Sequence, residues 1–351
     1  MTLKEKIQAA FRFEEVRPVP YTVWYDGYAM EKLDRYYGGS DWRERIQDHI
    51  LRITVEWRPE TYISADRFRD IHGSVWQEGD PLHLVEPVLK EPSLKGFEVP
   101  SYAPFVRGAA ERKQSGSWFG RPQVSFEESR KRFEEAGDRV FTVAGYGYGL
   151  FESGWMIRGY EEFFSDIVLE PGFVNELLDI LTERQLEVID ILTELPCDAI
   201  MVTDDFGDQR GIAIGPERWR ALFKKRLGRL YRRIHEAGKM TFHHSCGNVF
   251  DIIPDLIDIG LDVLQSVQPE AMPVYEIKKR YGKNLRLWGG LGTQQLLPFG
   301  KPEEIRAEVR RLKREIGKGG GYVFTSSKPI MREVPVENAV ALIEESMADE
   351  I

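Results

Sequence analysis

Lys239–Asn248 reads KMTFHHSCGN. A helical pattern ends at Gly238 just before it. Met240–Phe242 is then a short apolar run that breaks into His243, His244, Cys246 and Gly247. In a chain alternating strand and helix, such a break marks the carboxyl end of a strand, where α/β barrels carry their chemistry. His244 and Cys246 are separated by one residue, so in extended backbone both side chains leave the same face. His243 alternates with His244 and faces the barrel wall or a helix instead. A neutral imidazole beside a thiolate is a zinc-type pair, although zinc takes three or four protein ligands. Placement at a strand end gives the pair its weight.

The pattern extends both ways from this stretch. Pro171–Leu195 predicts a long helix, and Asp198–Val202 a buried strand ending in Thr203-Asp204-Asp205. The helix Pro216–Ala237 has Pro in its first turn and Gly238 just past its end. Downstream come a helix over Val249–Ile259, a strand over Asp262–Val267 ending in Gln268-Pro269, and a short helix over Met272–Arg280. Strand Leu285–Trp288 runs into Gly289-Gly290. Pro302–Ile316 repeats Ile305, Val309, Leu312 and Ile316 on one helical face. Strand Tyr322–Thr325 ends in Ser326-Ser327-Lys328, and Val336–Met347 is a closing helix. Five strand-then-helix units in succession predict a parallel sheet with right-handed crossovers. Units this regular, without a nucleotide fingerprint, favour a closed barrel over an open doubly wound sheet.

The first half is less regular. It predicts a helix over Met1–Arg12, a strand over Val19–Trp24 and a hairpin-like polar region over Arg67–Glu91. A Pro/Gly/Ser-rich excursion follows over Pro92–Ser117, then a charged helix over Phe126–Glu135. Strand Val140–Ala144 runs into Gly145-Tyr146-Gly147-Tyr148-Gly149. No linker divides the chain. The expected architecture is α/β: a single (β/α)8 TIM barrel over residues 1–351, with an N-terminal helical and loop excursion.

Composition narrows the function classes. A formal net charge of −9 disfavours nucleic acid as a partner, because phosphate binding needs basic surface. The basic run Arg218–Arg233 is interleaved with Trp219, Leu222, Phe223, Leu227 and Leu230 at helical spacing, which reads as the solvated face of a packed helix. No segment approaches the apolar length of a membrane span, and Met1–Glu15 lacks the apolar core of a signal peptide. Two cysteines, Cys197 and Cys246, cannot form a disulfide framework. A cytoplasmic setting is the expectation, with Cys197 in the core and Cys246 free to ligate. A homodimer is compatible with this reading.

The strand ends supply the remaining candidates. Adjacent carboxylates at Asp204 and Asp205 are costly unless a cation or donor is near, so at least one is expected to be functional. Gln268 either bonds backbone between strands or contacts substrate. Tyr146, Tyr148, Trp288 and Ser326 are expected as pocket walls. The GYGYG run lacks the Lys-Ser/Thr ending of a phosphate loop. His72 and Trp76 are expected to be structural.

Thr203–Gly207 (TDDFG), Phe242–Asn248 (FHHSCGN), Leu264–Pro269 (LQSVQP), Leu287–Gln294 (LWGGLGTQ), Gly319–Gly321 and Pro335–Asn338 together resemble the uroporphyrinogen decarboxylase superfamily, in particular its corrinoid-dependent methyltransferase branch. The resemblance runs from about Gly145 to the C-terminus. It implies a (β/α)8 barrel with the site at the carboxyl end of the strands, and zinc held by His244 and Cys246. It also implies a corrinoid (cobalamin) on a partner corrinoid-binding protein, and a small-molecule methyl donor or thiol acceptor. Asp204, Asp205 and Gln268 are the expected catalytic candidates, on the strand-end reading above. Two departures matter. A later cysteine ligand is expected near Ser326–Lys328, but this chain has none after Cys246, so either a third ligand comes from Asp204, Asp205 or elsewhere, or the site has lost tight zinc affinity. The decarboxylase branch has an arginine-rich signature beyond the first strand, where this chain reads Tyr21–Asp26 with no arginine. Tetrapyrrole decarboxylation and a non-catalytic ligand-binding barrel are the alternatives.

Overall fold

The computed structural model describes residues 1–55, 61–79, 82–108 and 124–349. Residues 109–117 of the expected loop excursion, and 118–123 ahead of the charged helix, lie outside them. Eleven strands are present among the described residues. β1 is Ile50–Thr54; β2 (Thr61–Tyr62), β3 (Arg67–Arg69), β4 (Val75–Gln77) and β5 (His83–Glu86) follow. Then come β6 (Phe141–Tyr146), β7 (Ala199–Thr203), β8 (Met240–His244), β9 (Val263–Ser266), β10 (Arg286–Leu291) and β11 (Tyr322–Ser326).

β1 and β6–β11 form one parallel sheet in the order β1-β6-β7-β8-β9-β10-β11. Each strand lies beside its predecessor in that series, which gives a curled, TIM-barrel-like α/β sheet with helices outside. Val19–Trp24 does not form the expected ladder strand. Pro18 and Pro20 have no N–H to give a sheet. Val23 N–H is taken by the Asp48 side chain at 2.7 Å. The segment instead makes isolated parallel bridges, Tyr21 to Phe324 and Tyr25 to Ile330, and Tyr21 O accepts from His49 N at 3.0 Å. It therefore touches both the last strand of the sheet and the residue preceding the first.

One side-chain row of each strand faces the interior. Ile50, Phe141, Val143, Ala199, Met201, Phe242, Val263, Trp288 and Val323 cluster there. The expected N-terminal helix is present over Leu3–Phe11, capped by Thr2 with Glu5 in a capping box. Its Ile7 and Phe11 enter the same cluster, with Phe11 edge-on to Phe141 and Phe242. The opposite row packs on the helices, which include Leu150–Arg158, Pro171–Leu192, Lys225–Glu236, Pro302–Glu315 and Val336–Met347. β2–β5 form a separate antiparallel sheet where a polar hairpin was expected. Its Phe68 and Trp76 pack with Met156 and Tyr148.

Candidate metal centre

Because the main sheet is parallel, the carboxyl ends of β7, β8 and β9 share one side of the molecule. His244 is the last residue of β8 and has the same parity as the interior-facing Phe242, so it turns inward. His243 turns outward. It is fully buried, stacks on Phe206, and its Nδ1 lies 2.8 Å from the Tyr231 hydroxyl.

The loops after β7 and β8 are zipped together. Asp204 N donates to His244 O at 3.0 Å, Phe206 N to Ser245 Oγ at 3.2 Å, and Asn248 N to Asp208 O at 2.7 Å. Gly247, at φ 74°, sits so close to Gly207 that a Cβ would lie 2.2 Å from its carbonyl oxygen. Only glycine fits there. In the same zipper Cys246 N donates to Asp205 Oδ1 at 2.7 Å, which brings a carboxylate to the His-x-Cys pair.

Cys246 Sγ lies 3.4 Å from His244 Nε2, and His244 Nε2 lies 3.7 Å from Asp205 Oδ1. One donor atom from each of the three residues falls within 4.8 Å of the other two. A tetrahedral zinc with N, O and S ligands sets its donors about 3.3–3.7 Å apart, so the arrangement fits the ion. Three protein donors leave one position open, the pattern of catalytic rather than structural zinc. Among the described residues no other such group of His, Cys, Asp and Glu occurs.

The electrostatics suit ligation. Burial holds His244 below the ordinary imidazole value, against the pull of Asp205, so the ring is neutral and has a lone pair to offer. Burial first, and then the Asp205 charge, push the Cys246 thiol up, so a metal must displace its proton.

The other sequence candidates are placed differently. Asp204 is fully buried and points away from the triad: its carboxylate accepts from Phe151 N and Glu152 N, each at 3.0 Å, at the start of helix Leu150–Arg158. Burial pushes it up to about 7. Gly149 makes this approach possible, since a Cβ there would lie 2.2 Å from Asp204 Cγ. The last glycine of GYGYG thus serves the carboxylate. Gln268 is buried, and its Oε1 accepts from Gly247 N at 3.4 Å, which supports the Cys246–Gly247 turn.

Of the expected pocket walls, Tyr146 is turned away from the interior. Tyr146 faces the helices, fully buried, with its hydroxyl donating to Gln185 Oε1 at 3.3 Å. Its parity on β6 is opposite to that of the inward Phe141 and Val143. Trp288 belongs to the interior cluster below the site, edge-on to Trp24 with its Nε1 donating to Thr22 Oγ1 at 3.0 Å. Ser326 turns its hydroxyl to Lys328 O at 2.7 Å. Tyr148, half-buried at φ 63°, packs toward the small antiparallel sheet.

Sequence reasoning missed Gln265. It pairs with His244 across the β8–β9 ladder, and its Oε1 accepts from His244 Nδ1. A polar residue inside the apolar run Val263–Val267, two positions from Val263 and therefore inward, was the available signal.

Residues 134–347 match the family profile described as Uroporphyrinogen decarboxylase (URO-D). Among curated proteins the chain is 24% identical over 283 residues to uroporphyrinogen decarboxylase of Methylococcus capsulatus, covering 76% of this chain and 78% of that one. It is 27% identical over 176 residues to methylcobamide:CoM methyltransferase MtaA of Methanosarcina barkeri, about half of each chain (50% and 49%). Among solved structures, a methyltransferase from Methanosarcina mazei superposes with a TM-score of 0.70 at 22% identity, covering 99% of this chain and 98% of that one. The chain belongs to the uroporphyrinogen decarboxylase family.

Proposed function

We propose that this member of the uroporphyrinogen decarboxylase family is a zinc-assisted, corrinoid-dependent methyltransferase. It moves a methyl group between a small methylated compound or thiol and a cobalamin carried by a corrinoid-binding protein. The observation that carries the reading is the Asp205–His244–Cys246 donor set at the carboxyl end of the strands. The likeness to MtaA supports the same direction. In this reading the chain is one domain, and residues 20–25 are the eighth stave of a (β/α)8 barrel, joining β11 to β1.

Asp205 takes the place of the missing later cysteine. Exchanging a thiolate for a carboxylate removes a soft donor, so zinc is held more weakly than with two sulfurs. Bound there, zinc would lower a thiol's pKa or polarise a heteroatom that carries a methyl group. The chain's own residues orient the exchange. Asp205 holds the Cys246 turn by its N–H, Gln268 supports that turn from below, and Asp204 anchors the helix beside it. His244 and Cys246 are only half-buried, so the donor set keeps contact with solvent. The missing sulfur favours demethylation of a small methylated or methoxylated compound over thiol methylation.

The absence of arginine across Tyr21–Asp26 argues against a substrate bearing many carboxylates. The discriminating experiment gives the zinc-loaded protein cob(I)alamin and a panel of methoxylated and methylated small molecules. The expected result is the absorption change of cobalt methylation with at least one of them. Release of carbon dioxide from uroporphyrinogen, with no methyl transfer across the panel, would replace this reading with the decarboxylase. Neither reaction, in a chain that also binds no zinc, would leave a ligand-binding barrel.

A further inference from the structure

We propose that Gln265 is the residue that makes His244 a metal ligand, by accepting the Nδ1 proton and leaving Nε2 unprotonated toward Cys246 and Asp205. This rests on the metal-centre reading above but concerns a residue that lies outside the donor set.

An imidazole can carry its single proton on either nitrogen, and only the unprotonated nitrogen binds a metal. Gln265 Oε1 can only accept, and it faces Nδ1. The proton therefore sits on Nδ1, and the lone pair sits on Nε2, 3.4 Å from Cys246 Sγ and 3.7 Å from Asp205 Oδ1. A metal-bound histidine needs a partner of this kind on its other nitrogen to fix both tautomer and ring orientation.

The partner is held rigidly. His244 and Gln265 are paired in the β8–β9 register, and Ser245 N donates to Gln265 O at 2.9 Å. Gln265 is fully buried, whereas the His244 side chain retains 15% exposure, so the amide is out of solvent while the ring keeps contact with it. The backbone just after it is constrained. Val267, a β-branched residue, is held at φ 49° and fully buried. A Cβ on Gly289 would lie 1.7 Å from Ser266 O, so β10 presses directly on this stretch. Gln265 cannot easily swing away from the ring.

The test compares Gln265→Met, which keeps the volume without an acceptor, with Gln265→Glu, which keeps the acceptor. Zinc affinity is measured by chelator competition. The His244 tautomer is read by 15N NMR of metal-free, 15N-histidine-labelled protein. The expected outcome is a native Nδ1–H tautomer that is lost in Gln265→Met and retained in Gln265→Glu. Zinc affinity should fall roughly 10- to 100-fold in Gln265→Met and recover in Gln265→Glu. A residue that merely fills space would give the opposite order, since methionine suits a buried site better than a carboxylate. Unchanged zinc affinity and tautomer in a folded Gln265→Met protein would overturn the proposal. The two arms also separate the claims. Zinc binding without a tautomer switch removes Gln265's role and leaves the metal centre standing. A tautomer switch in a chain that binds no zinc does the reverse.

Discussion

Cys246 keeps its proton in the metal-free protein, because burial and the Asp205 carboxylate both raise its thiol. His244 is already neutral, so zinc entering the triad must displace one proton, and that proton comes from sulfur. Zinc affinity should therefore rise about tenfold per pH unit from pH 6 to 8, with one proton released per ion. Chelator competition at several pH values, with proton release followed in weak buffer, checks both numbers. A flat profile would mean that Cys246 is not a ligand. At this scale the sequence was partly legible. The one-residue spacing of His244 and Cys246 placed them on one face, and the opposite facing of His243 followed from the same alternation. The choice between Asp204 and Asp205 could not be read. Adjacent residues look alike in a sequence, and only the zippered loops decide which carboxylate meets Cys246 N–H and which meets the helix start. Gln268 drew attention because it ends a strand, while Gln265, inside one, makes the contact with His244.

At the scale of elements, periodicity located the second half well. Pro302–Glu315 and Val336–Met347 fall within a residue of expectation, because a helix of that length repeats its apolar face several times between clear stops. β1 went unrecognised. Its run Ile50-Leu51-Arg52-Ile53-Thr54 is short and interrupted by an arginine, so neither a continuous apolar strand nor a clean alternation stands out. The expected strand at Val19–Trp24 is reduced to isolated parallel bridges, with Pro18 and Pro20 lacking the N–H of a continuous ladder. Gly289 yields a test at this scale. Its φ of 143° and its contact with the Ser266 carbonyl leave no room for a methyl group, and the obstacle is backbone that cannot rotate aside. Gly289→Ala should cost about 3 kcal/mol or more and weaken zinc binding through displacement of Gln265. A denaturant midpoint and a zinc titration on the same sample would check it. A native midpoint would show that β10 can retreat from β9.

Over the whole molecule, buried imidazoles set the response to acid. His49, beside the contact between residues 20–25 and β1, and His243, behind the metal centre, are both held down to about 4 by burial. Unfolded, each would titrate near 6.5. Between those values the unfolded chain binds more protons than the folded one, so stability is intact above about 6.5 and is lost as pH falls toward 4. The loss approaches roughly 3 kcal/mol per imidazole. Asp204 opposes it, since its folded value of about 7 is raised and its cost is relieved over the same range. His244, which burial also holds below its ordinary value, acts in the same sense as the other two imidazoles, so the imidazoles outweigh the carboxyl. Unfolding free energy should therefore fall as pH drops from 6.5 to 4, and His49→Asn should flatten that slope by up to about 1.4 kcal/mol per pH unit. An unchanged slope in the variant would mean that His49 is protonated in the folded state. The order of units was legible in the sequence at this scale, because strand and helix alternate plainly after residue 171. The bridge between Tyr21 and Phe324 was not, because it joins residues some three hundred positions apart. The central claim is that Asp205, His244 and Cys246 hold a metal at the carboxyl end of the parallel strands. The most direct measurement is the zinc content of the purified protein and of its Cys246→Ser variant after equal exposure to a mild chelator. The account predicts close to one zinc per native chain and little in the variant. Equal zinc in both, or none in the native chain, would contradict it.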